Sequence, residues 1–162
     1  GMDPILYRGT GHNPMGVYSE KPDDYRNLML RLRMKIDNSR DLLPEPLMRE
    51  EEDSDIGVIY LGSMENSIQE IDDILLEMGH HVNQCRVRAL PFHSDVEEFI
   101  RRHKTTIVLE INRDGQLYGI LRRELPNDIV TNVHSVAYSD GLPPRARIYA
   151  NLISEKLKEV NE

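Results

Sequence analysis

The sequence predicts an α/β fold, a three-layer Rossmann-like sandwich whose mostly parallel sheet has four or five strands. From Ile56 onward, short apolar runs alternate with helical patterns, and this order is typical of a parallel sheet with helices on both faces. The run Ile56–Leu61 is almost continuously apolar, as expected for a strand that is buried on both faces. We therefore predict one compact α/β domain over residues 55–162.

Residues 1–54 have a different composition and are predicted to form a separate N-terminal region. Residues 1–21 are rich in Gly, Pro, Asn and Tyr, which predicts an irregular arm because glycine and proline interrupt regular backbone structure. Residues 42–55 hold two prolines and a cluster of carboxylates, so we predict a solvated acidic linker there.

Between the arm and the linker, a helix is predicted over residues 22–37. Pro22 suits its first turn, and two aspartates follow at the positive end of the helix dipole. The predicted apolar face consists of Tyr25, Leu28, Met29, Leu32 and Ile36.

Four strands and four helices are predicted within the α/β domain. The strands lie at Ile56–Leu61, at about 82–90, at 106–109 and at about 129–138. The first three helices have inner faces at Ile68, Ile71, Leu75 and Met78, at Val96, Phe99 and Ile100, and at Leu117, Ile120, Leu121 and Leu125. Ser94 is predicted to cap the second helix, with Glu97 completing a capping box. The last helix is predicted over about 145–160.

Composition argues against several classes of function. A net charge of −8 disfavours nucleic acid and anionic membrane surfaces as partners. Cys85 is the one cysteine, so the chain holds no internal disulfide or cysteine-ligated cluster, and its strand-like surroundings predict a quiet buried residue. No run approaches the ~20 apolar residues of a membrane span. The turn-forming N-terminus is unlike a signal peptide. These features predict a cytoplasmic protein.

Motifs for phosphate, metal and nucleophilic chemistry are absent from the sequence. No GxGxxG follows the first strand, and there is no GxxxxGK[ST] or GxSxG. None of the six histidines has the spacing of paired metal ligands on a helix. We therefore predict no catalytic, cofactor-binding or metal-binding residue in this chain. The Gly62-Ser63 turn either binds an anion through backbone N–H groups or is simply a tight strand-to-helix turn.

The most informative feature is a polar turn at residues 110–116, between the third strand and the next helix. Open α/β sheets bind ligands and partners at this end of their strands. Two interpretations stay open. In the structural one, Asn112 or Asp114 caps the helix, Gly115 relaxes the turn and the guanidinium pairs with a carboxylate. In the functional one, the turns face a ligand or a neighbouring subunit. The candidate residues for that surface are Gly62, Ser63, Asn112, Arg113 and Gln116.

Residues 110–125, EINRDGQLYGILRREL, resemble a segment near the C-terminus of the alpha subunit of 2-oxoacid:ferredoxin oxidoreductases. In that family a strand ends in a Glu-x-Asn-x-x-Gly/Ala-Gln-Leu/Met pattern and enters a helix. Three more segments resemble the family in the same order along the chain. They are residues 10–16 with Pro22-Asp23, residues 55–63 and residues 88–92. The resemblance extends over about residues 9–155.

The resemblance implies a domain similar to the C-terminal domain of transketolase. The parent enzymes, of 2-oxoglutarate or pyruvate type, use thiamine diphosphate, magnesium and iron–sulfur clusters to oxidise a 2-oxoacid to an acyl-coenzyme A and to reduce ferredoxin. The GDG signature with its paired asparagines is absent here, and one cysteine cannot hold a cluster. The resemblance therefore implies an assembly domain of an oxidoreductase that holds no cofactor itself and is inactive alone.

The implied partners are an upstream pyrimidine-binding domain of the same subunit, a beta subunit, and ferredoxin through the complex. Two other interpretations stay open from the sequence. The chain could be a free-standing α/β module that binds a small anion or nucleotide at the carboxyl edge of its sheet. It could also be a homo-oligomeric scaffold that uses residues 1–21.

Overall fold

The computed structural model describes residues 9–50 and 54–161. The chain divides into two compact units, one ending at Leu42 and the other beginning at Leu43. The first eight residues of the predicted arm and the carboxylates at 51–53 lie outside the described residues.

From residue 9 onward, the first unit contains a tight turn, one α-helix and a short 3₁₀ turn at Arg40–Leu42. His12 and Tyr18 form an isolated antiparallel bridge. Inside it, Asn13 Oδ1 accepts hydrogen bonds from the backbone N–H groups of Met15 and Val17 at 3.0 and 3.1 Å. Helix α1 spans Pro22–Asp37 and begins at the predicted proline. Its predicted apolar face is largely exposed, because Leu28 alone among the residues of α1 is buried.

The second unit is built on a five-stranded sheet. Its strands are β1 (Leu47–Arg49), β2 (Ile56–Leu61), β3 (Asn83–Val87), β4 (Thr105–Glu110) and β5 (Val133–Ala137). The order across the sheet is β1-β3-β2-β4-β5, with β2 to β5 parallel and β1 antiparallel to β3. The predicted mostly parallel α/β sheet is confirmed.

Four helices cover the two faces of this sheet. They are α2 (Glu65–Glu77), α3 (Ser94–Arg102), α4 (Gln116–Glu124) and α5 (Ala146–Asn161). Helices α2 and α5 pack on one face, in a core that includes Ile68, Ile71 and Ile153. Helices α3 and α4 pack on the other, around Phe99, Ile100 and Leu121. The two cores lie on either side of the sheet, which gives the three layers that the sequence predicted.

The structure corrects two local predictions. Helix α3 is capped by His93 and not by Ser94, since the His93 side chain accepts a hydrogen bond from the Asp95 N–H at 3.3 Å. The predicted fourth strand over 129–138 is shorter, because Val130–Asn132 forms a 3₁₀ turn before β5 begins.

Strand β1 lies in the stretch that was predicted to be a linker. It has only three residues, and Met48 pairs with Cys85 of β3. A strand this short at a sheet edge has too few residues to show an alternating pattern.

Candidate functional site

The carboxyl ends of β2 and β4 flank the topological switch point of the sheet. From β2 the chain moves to β3 on one side and then returns to β4 on the other. Open α/β sheets bind ligands in the crevice at such a point. Tyr60 of β2 pairs with Leu109 of β4 at the carboxyl end of both strands. The two turns nominated from the sequence, Gly62-Ser63 and residues 111–115, therefore leave neighbouring strands at the same edge.

Glu110 ends β4 and is only 4% exposed. Its Oε1 accepts hydrogen bonds from the Leu117 N–H at 2.6 Å and from Asn112 Nδ2 at 2.9 Å. Its Oε2 accepts one from the Tyr118 N–H at 3.1 Å. A carboxylate at the start of a helix is stabilised by the free N–H groups and by the helix dipole. Glu110 therefore acts as the main cap of α4, although the two N–H groups that donate to it lie seven and eight residues further along the chain.

Asn112 provides the second half of this cap. Its Oδ1 accepts from the N–H groups of Asp114, Gly115 and Gln116 at 3.1, 2.7 and 3.4 Å. Together, Glu110 and Asn112 engage the backbone N–H groups of every residue from 114 to 118. The groups that would bind an anion at this helix start are thus occupied by the chain's own side chains.

Gly115 is required by both conformation and space. Its φ is +60°, in the left-handed region that favours glycine. A Cβ at this position would lie 2.9 Å from Ser135 Oγ of β5. The structural interpretation of Gly115 is therefore supported by the geometry, and the close approach of the turn to β5 could not be read from the sequence.

The other nominated residues face solvent. Arg113 is exposed and pairs with the neighbouring Asp114, Nε to Oδ1 at 2.6 Å, and this hydrogen bond raises the pKa of Arg113. Gln116 is exposed at the first position of α4. Gly62 and Ser63 are exposed in a 3₁₀ turn that leads into α2, and Gly62 has φ +63°. The structure brings these residues to one edge of the sheet and leaves their side chains accessible there.

A second polar cluster was missed by the sequence analysis. Glu65, the first residue of α2, accepts a hydrogen bond from the Tyr60 hydroxyl at 2.7 Å and lies 3.5 Å from Arg49 and 3.6 Å from Arg86. Burial, with this hydrogen bond, raises the pKa of Tyr60. The members come from β1, β2, β3 and α2, so only the strand order reveals that they meet. Two cations compensate one carboxylate and the hydroxyl stays protonated, so this cluster ties β1 to the sheet.

Asp140 anchors the loop after β5, at the same edge of the sheet. It accepts hydrogen bonds from the Leu142 N–H at 3.1 Å and the Tyr138 hydroxyl at 3.2 Å, and it pairs with Arg145. The bond from the Leu142 N–H is the main cause that lowers the pKa of Asp140. This carboxylate therefore closes the loop before α5.

Cys85 is fully buried in β3, and burial raises the pKa of its thiol to about 12. The prediction of a buried strand residue is confirmed, and a thiol with a raised pKa is a poor nucleophile at neutral pH. Within residues 9–50 and 54–161, no group of three or more His, Cys, Asp or Glu side chains is placed to hold a metal ion. No helix in this described part of the chain is long and apolar enough to cross a membrane.

The scan against protein-family models returns no match, and neither does the search of curated proteins. The search of solved structures returns a 2-oxoglutarate:ferredoxin oxidoreductase from Magnetococcus marinus, which has 2-oxoglutarate, coenzyme A and succinyl-CoA bound. It matches 95% of this chain at 25% identity with a TM-score of 0.76. The predicted resemblance is confirmed. Since the match covers 27% of the oxidoreductase chain, this sequence corresponds to about a quarter of that protein.

The search returns two further solved structures. A split-gene transketolase, solved as an inactive beta4 tetramer, matches 70% of this chain and 41% of its own at 17% identity, with a TM-score of 0.52. The alpha chain of a probable 2-oxoacid ferredoxin oxidoreductase from Thermoplasma acidophilum matches 70% of this chain and 97% of its own at 18% identity, with a TM-score of 0.44. The fold is transketolase C-terminal-domain-like.

Two places among the described residues, the start of α4 and Cys85, do not fit the cofactors that the sequence resemblance implies. The helix start at the switch point is filled by Glu110 and Asn112, so a diphosphate would have to compete with a buried carboxylate for the same N–H groups. A cluster needs several thiolates, and Cys85 is a single thiol inside the sheet. No chemical step is therefore assigned to thiamine diphosphate or to an iron–sulfur cluster on this chain.

Proposed function

We propose that the chain is the C-terminal structural and assembly domain of the alpha subunit of a thiamine-diphosphate-dependent 2-oxoacid:ferredoxin oxidoreductase. In the proposed complex, a 2-oxoacid is oxidatively decarboxylated to an acyl-coenzyme A and ferredoxin is reduced. Thiamine diphosphate, magnesium and iron–sulfur clusters are held by other domains and subunits. This domain packs against an upstream pyrimidine-binding domain and a beta subunit and is inactive alone.

The observation that carries the proposal is the match to the Magnetococcus marinus 2-oxoglutarate:ferredoxin oxidoreductase over nearly the whole chain. The match includes both units of the chain, since it covers 95% of the residues. The internal hydrogen bonds of the switch-point turn support an assembly role. There, Glu110, Asn112 and Gly115 form the polar turn itself, and the exposed residues Arg113 and Gln116 are left to contact a neighbouring domain.

The proposal is tested by producing the chain together with the products of the genes adjacent to its own. We expect co-purification with a pyrimidine-binding chain and a beta subunit, and ferredoxin reduction that depends on a 2-oxoacid and coenzyme A. Omitting this chain is expected to abolish both assembly and turnover, and the chain alone is expected to be inactive. Comparing 2-oxoglutarate with pyruvate identifies the substrate type. Full turnover by the other subunits without this chain would contradict the proposal, as would 2-oxoacid oxidation by the chain alone.

One observation favours a second candidate, a free-standing module that binds a small anion or nucleotide. The Gly62-Ser63 turn is exposed, and no atom lies within 4 Å of the position that a Gly62 Cβ would occupy. This turn has room for a ligand that the filled start of α4 lacks. Calorimetric titration of the chain with coenzyme A, nucleotides, thiamine diphosphate and inorganic phosphate distinguishes the candidates. Saturable micromolar binding that is lost in Gly62→Val would favour the module, whereas the assembly domain is expected to bind none of them.

A further inference from the structure

Most of the exposed large apolar side chains of the α/β unit lie at one edge of its sheet. Among the described residues from 43 onward, these side chains are all leucines, at Leu47, Leu61, Leu76, Leu90 and Leu142. Leu61 ends β2, and Leu90 and Leu142 lie in the loops that follow β3 and β5. Leu47 begins the antiparallel β1 and pairs with Arg86, near the carboxyl end of β3. Four of the five leucines are therefore at the carboxyl edge.

The amino edge of the sheet has a different character. Asp55, just before β2, pairs there with Lys104, just before β4. The fifth leucine, Leu76, is in the last turn of α2, which leads from the carboxyl end of β2 back towards the start of β3. Single exposed leucines are normal on a protein surface, whereas several at one edge indicate a contact surface. The carboxyl edge is therefore the candidate for contact with another folded surface.

Leu142 is the most accessible of the five leucines, at 57% exposed, and polar contacts hold its loop in place. Its N–H donates to Asp140 Oδ1 at 3.1 Å. Asp140 also accepts a hydrogen bond from the Tyr138 hydroxyl and pairs with Arg145. A loop that is already fixed presents its side chain without the entropy loss of ordering it on contact. Leu142 is thus a preorganised apolar contact at this edge.

The size of this surface indicates what covers it. A stable interface between free proteins buries about 1,200–2,000 Å². Here four leucines, each about half exposed, stand on separate chain segments, with the exposed Arg113 and Gln116 following β4 between β2 and β5. Small and mixed surfaces of this kind occur between domains of one chain, because the tether supplies a high effective concentration.

The structural match supplies such a tethered neighbour. It covers 27% of the Magnetococcus marinus oxidoreductase chain, so most of that single chain lies outside the matched part. We infer that the carboxyl edge of the sheet is the surface on which the α/β unit docks against the pyrimidine-binding domain of its own subunit. Leu90 and Leu142, on either side of Leu61, are the apolar anchors of this contact. The identity of the occupant rests on the proposed function, whereas the docking face rests on the placement of the leucines.

Hydrogen exchange locates the docked surface without any substitution. The whole alpha subunit, produced from the reading frame that encodes this domain, is compared with the 162-residue chain. Amides of residues 61–64, 88–92 and 139–142 are expected to exchange at least about tenfold more slowly in the whole subunit, because docking lowers the rate of local opening at that edge. Amides of residues 80–82 and 102–105, at the amino edge, are expected to exchange equally in both.

The outcomes distinguish the docking face from the proposed function. Slower exchange at the amino edge alone, or at neither edge, in a subunit that does contain a pyrimidine-binding domain overturns the docking face and leaves the proposed function standing. A subunit without a pyrimidine-binding domain overturns both.

Substitutions then test the leucines themselves. Leu90→Asp combined with Leu142→Asp is expected to abolish the slow exchange of the carboxyl edge in the whole subunit, because docking would bury two carboxylates without partners. Leu76→Asp, the same change at a similarly exposed leucine, is the control and is expected to leave the slow exchange unchanged. Leu90→Met combined with Leu142→Met keeps an apolar contact and is expected to keep the slow exchange.

Urea unfolding of the 162-residue chain with the same substitutions separates a loss of docking from a loss of folding. All the variants are expected to stay folded, because the leucines are exposed in the chain alone. Undiminished slow exchange in the double aspartate variant overturns the inference, as does an equal loss in Leu76→Asp.

Discussion

At the scale of single residues, replacing Glu110 by alanine is expected to lower the free energy of unfolding by about 2–3 kcal/mol. The change leaves the N–H groups of Leu117 and Tyr118 without their acceptor, and the Leu117 N–H is buried. Glu110→Gln keeps one acceptor oxygen and is expected to cost about 1 kcal/mol. Urea unfolding followed by circular dichroism measures both. Glu98→Ala, on the exposed face of α3, is the control, expected within about 0.5 kcal/mol of the parent chain. Equal effects of Glu98→Ala and Glu110→Ala would contradict the capping role.

Gly115→Ala tests the close approach between the turn and β5. Alanine has to adopt a φ of +60°, and its Cβ has to fit 2.9 Å from Ser135 Oγ. Gly141→Ala is the matched control, because Gly141 has φ +80° but no atom within 4 Å of its would-be Cβ. We expect Gly141→Ala to cost about 1 kcal/mol from backbone strain alone and Gly115→Ala at least about 1 kcal/mol more. If the two alanine variants unfold at the same urea concentration, the contact with Ser135 is unimportant.

His134 of β5 is expected to make stability depend on pH. Desolvation, and secondarily the charge of Lys156, hold the pKa of His134 below its ordinary value of 6.5. The unfolded chain then binds the His134 proton more readily than the folded chain. The stability that depends on a neutral His134 imidazole is therefore present above about pH 6.5 and is lost as the pH falls below that value. Compared with the parent chain, His134→Gln should lose less stability between pH 7.5 and pH 5. Because the side chain is partly exposed, the expected difference between the two chains is small. Parallel pH profiles of the free energy of unfolding would show that His134 does not contribute to the pH dependence of stability.

At the scale of elements, β1 decides where the α/β unit begins. The sequence predicted a boundary at residue 55, but Leu47–Arg49 pairs with β3 and Arg49 lies 3.5 Å from Glu65. We predict that a chain starting at Leu43 unfolds cooperatively, with nearly the stability that the α/β unit has in the full chain. A chain starting at Asp55 loses the cover of the β3 edge and is expected to be less stable by about 2 kcal/mol, with a greater tendency to aggregate. Thermal unfolding measures the stability of the two truncated chains, and light scattering measures their aggregation. Equal stability would place β1 outside the folding unit.

The elements that the sequence predicted well are those whose signal is local. Helix α2 and strand β4 have long periodic or continuous apolar patterns, and both were found where the pattern placed them. Two local predictions failed for different reasons. At the start of α3, the Asp95 N–H donates to the side chain of His93, two residues before it, although Ser94 belongs to the residue types preferred at a cap. Strand β1 exists because β3 offers an edge, and this pairing is not encoded in three residues.

The candidate site shows the same division. The sequence identified the polar turn, Asn112 as a capping residue and Gly115 as its flexible point, because turn chemistry is local. It assigned no role to Glu110, because a carboxylate that accepts from the N–H group of a residue seven positions downstream matches no capping pattern. It also missed the cluster of Tyr60, Glu65 and Arg86, since these residues meet only through the strand order. The Glu, Asn and Gly of the Glu-x-Asn-x-x-Gly pattern are Glu110, Asn112 and Gly115. Their roles in forming this turn explain that part of the resemblance.

At the scale of the whole molecule, the two units differ in what stabilises them. The α/β unit has an apolar core on each face of its sheet. In the first unit, among the described residues from Gly9 to Leu42, Leu28 is the one buried hydrophobic side chain. A helix of 16 residues with so little tertiary packing is marginal in water, so α1 is expected to open more readily than the helices of the α/β unit.

Hydrogen exchange followed by mass spectrometry tests this difference between the two units. Amides of α1 are expected to exchange within about 100-fold of the unstructured rate, because the opening of a helix with little packing costs little free energy. Amides of β2 and β4, inside the sheet, are expected to exchange far more slowly, because they open only when the α/β unit unfolds. Protection of the α1 amides equal to that of β2 and β4 would contradict this expectation.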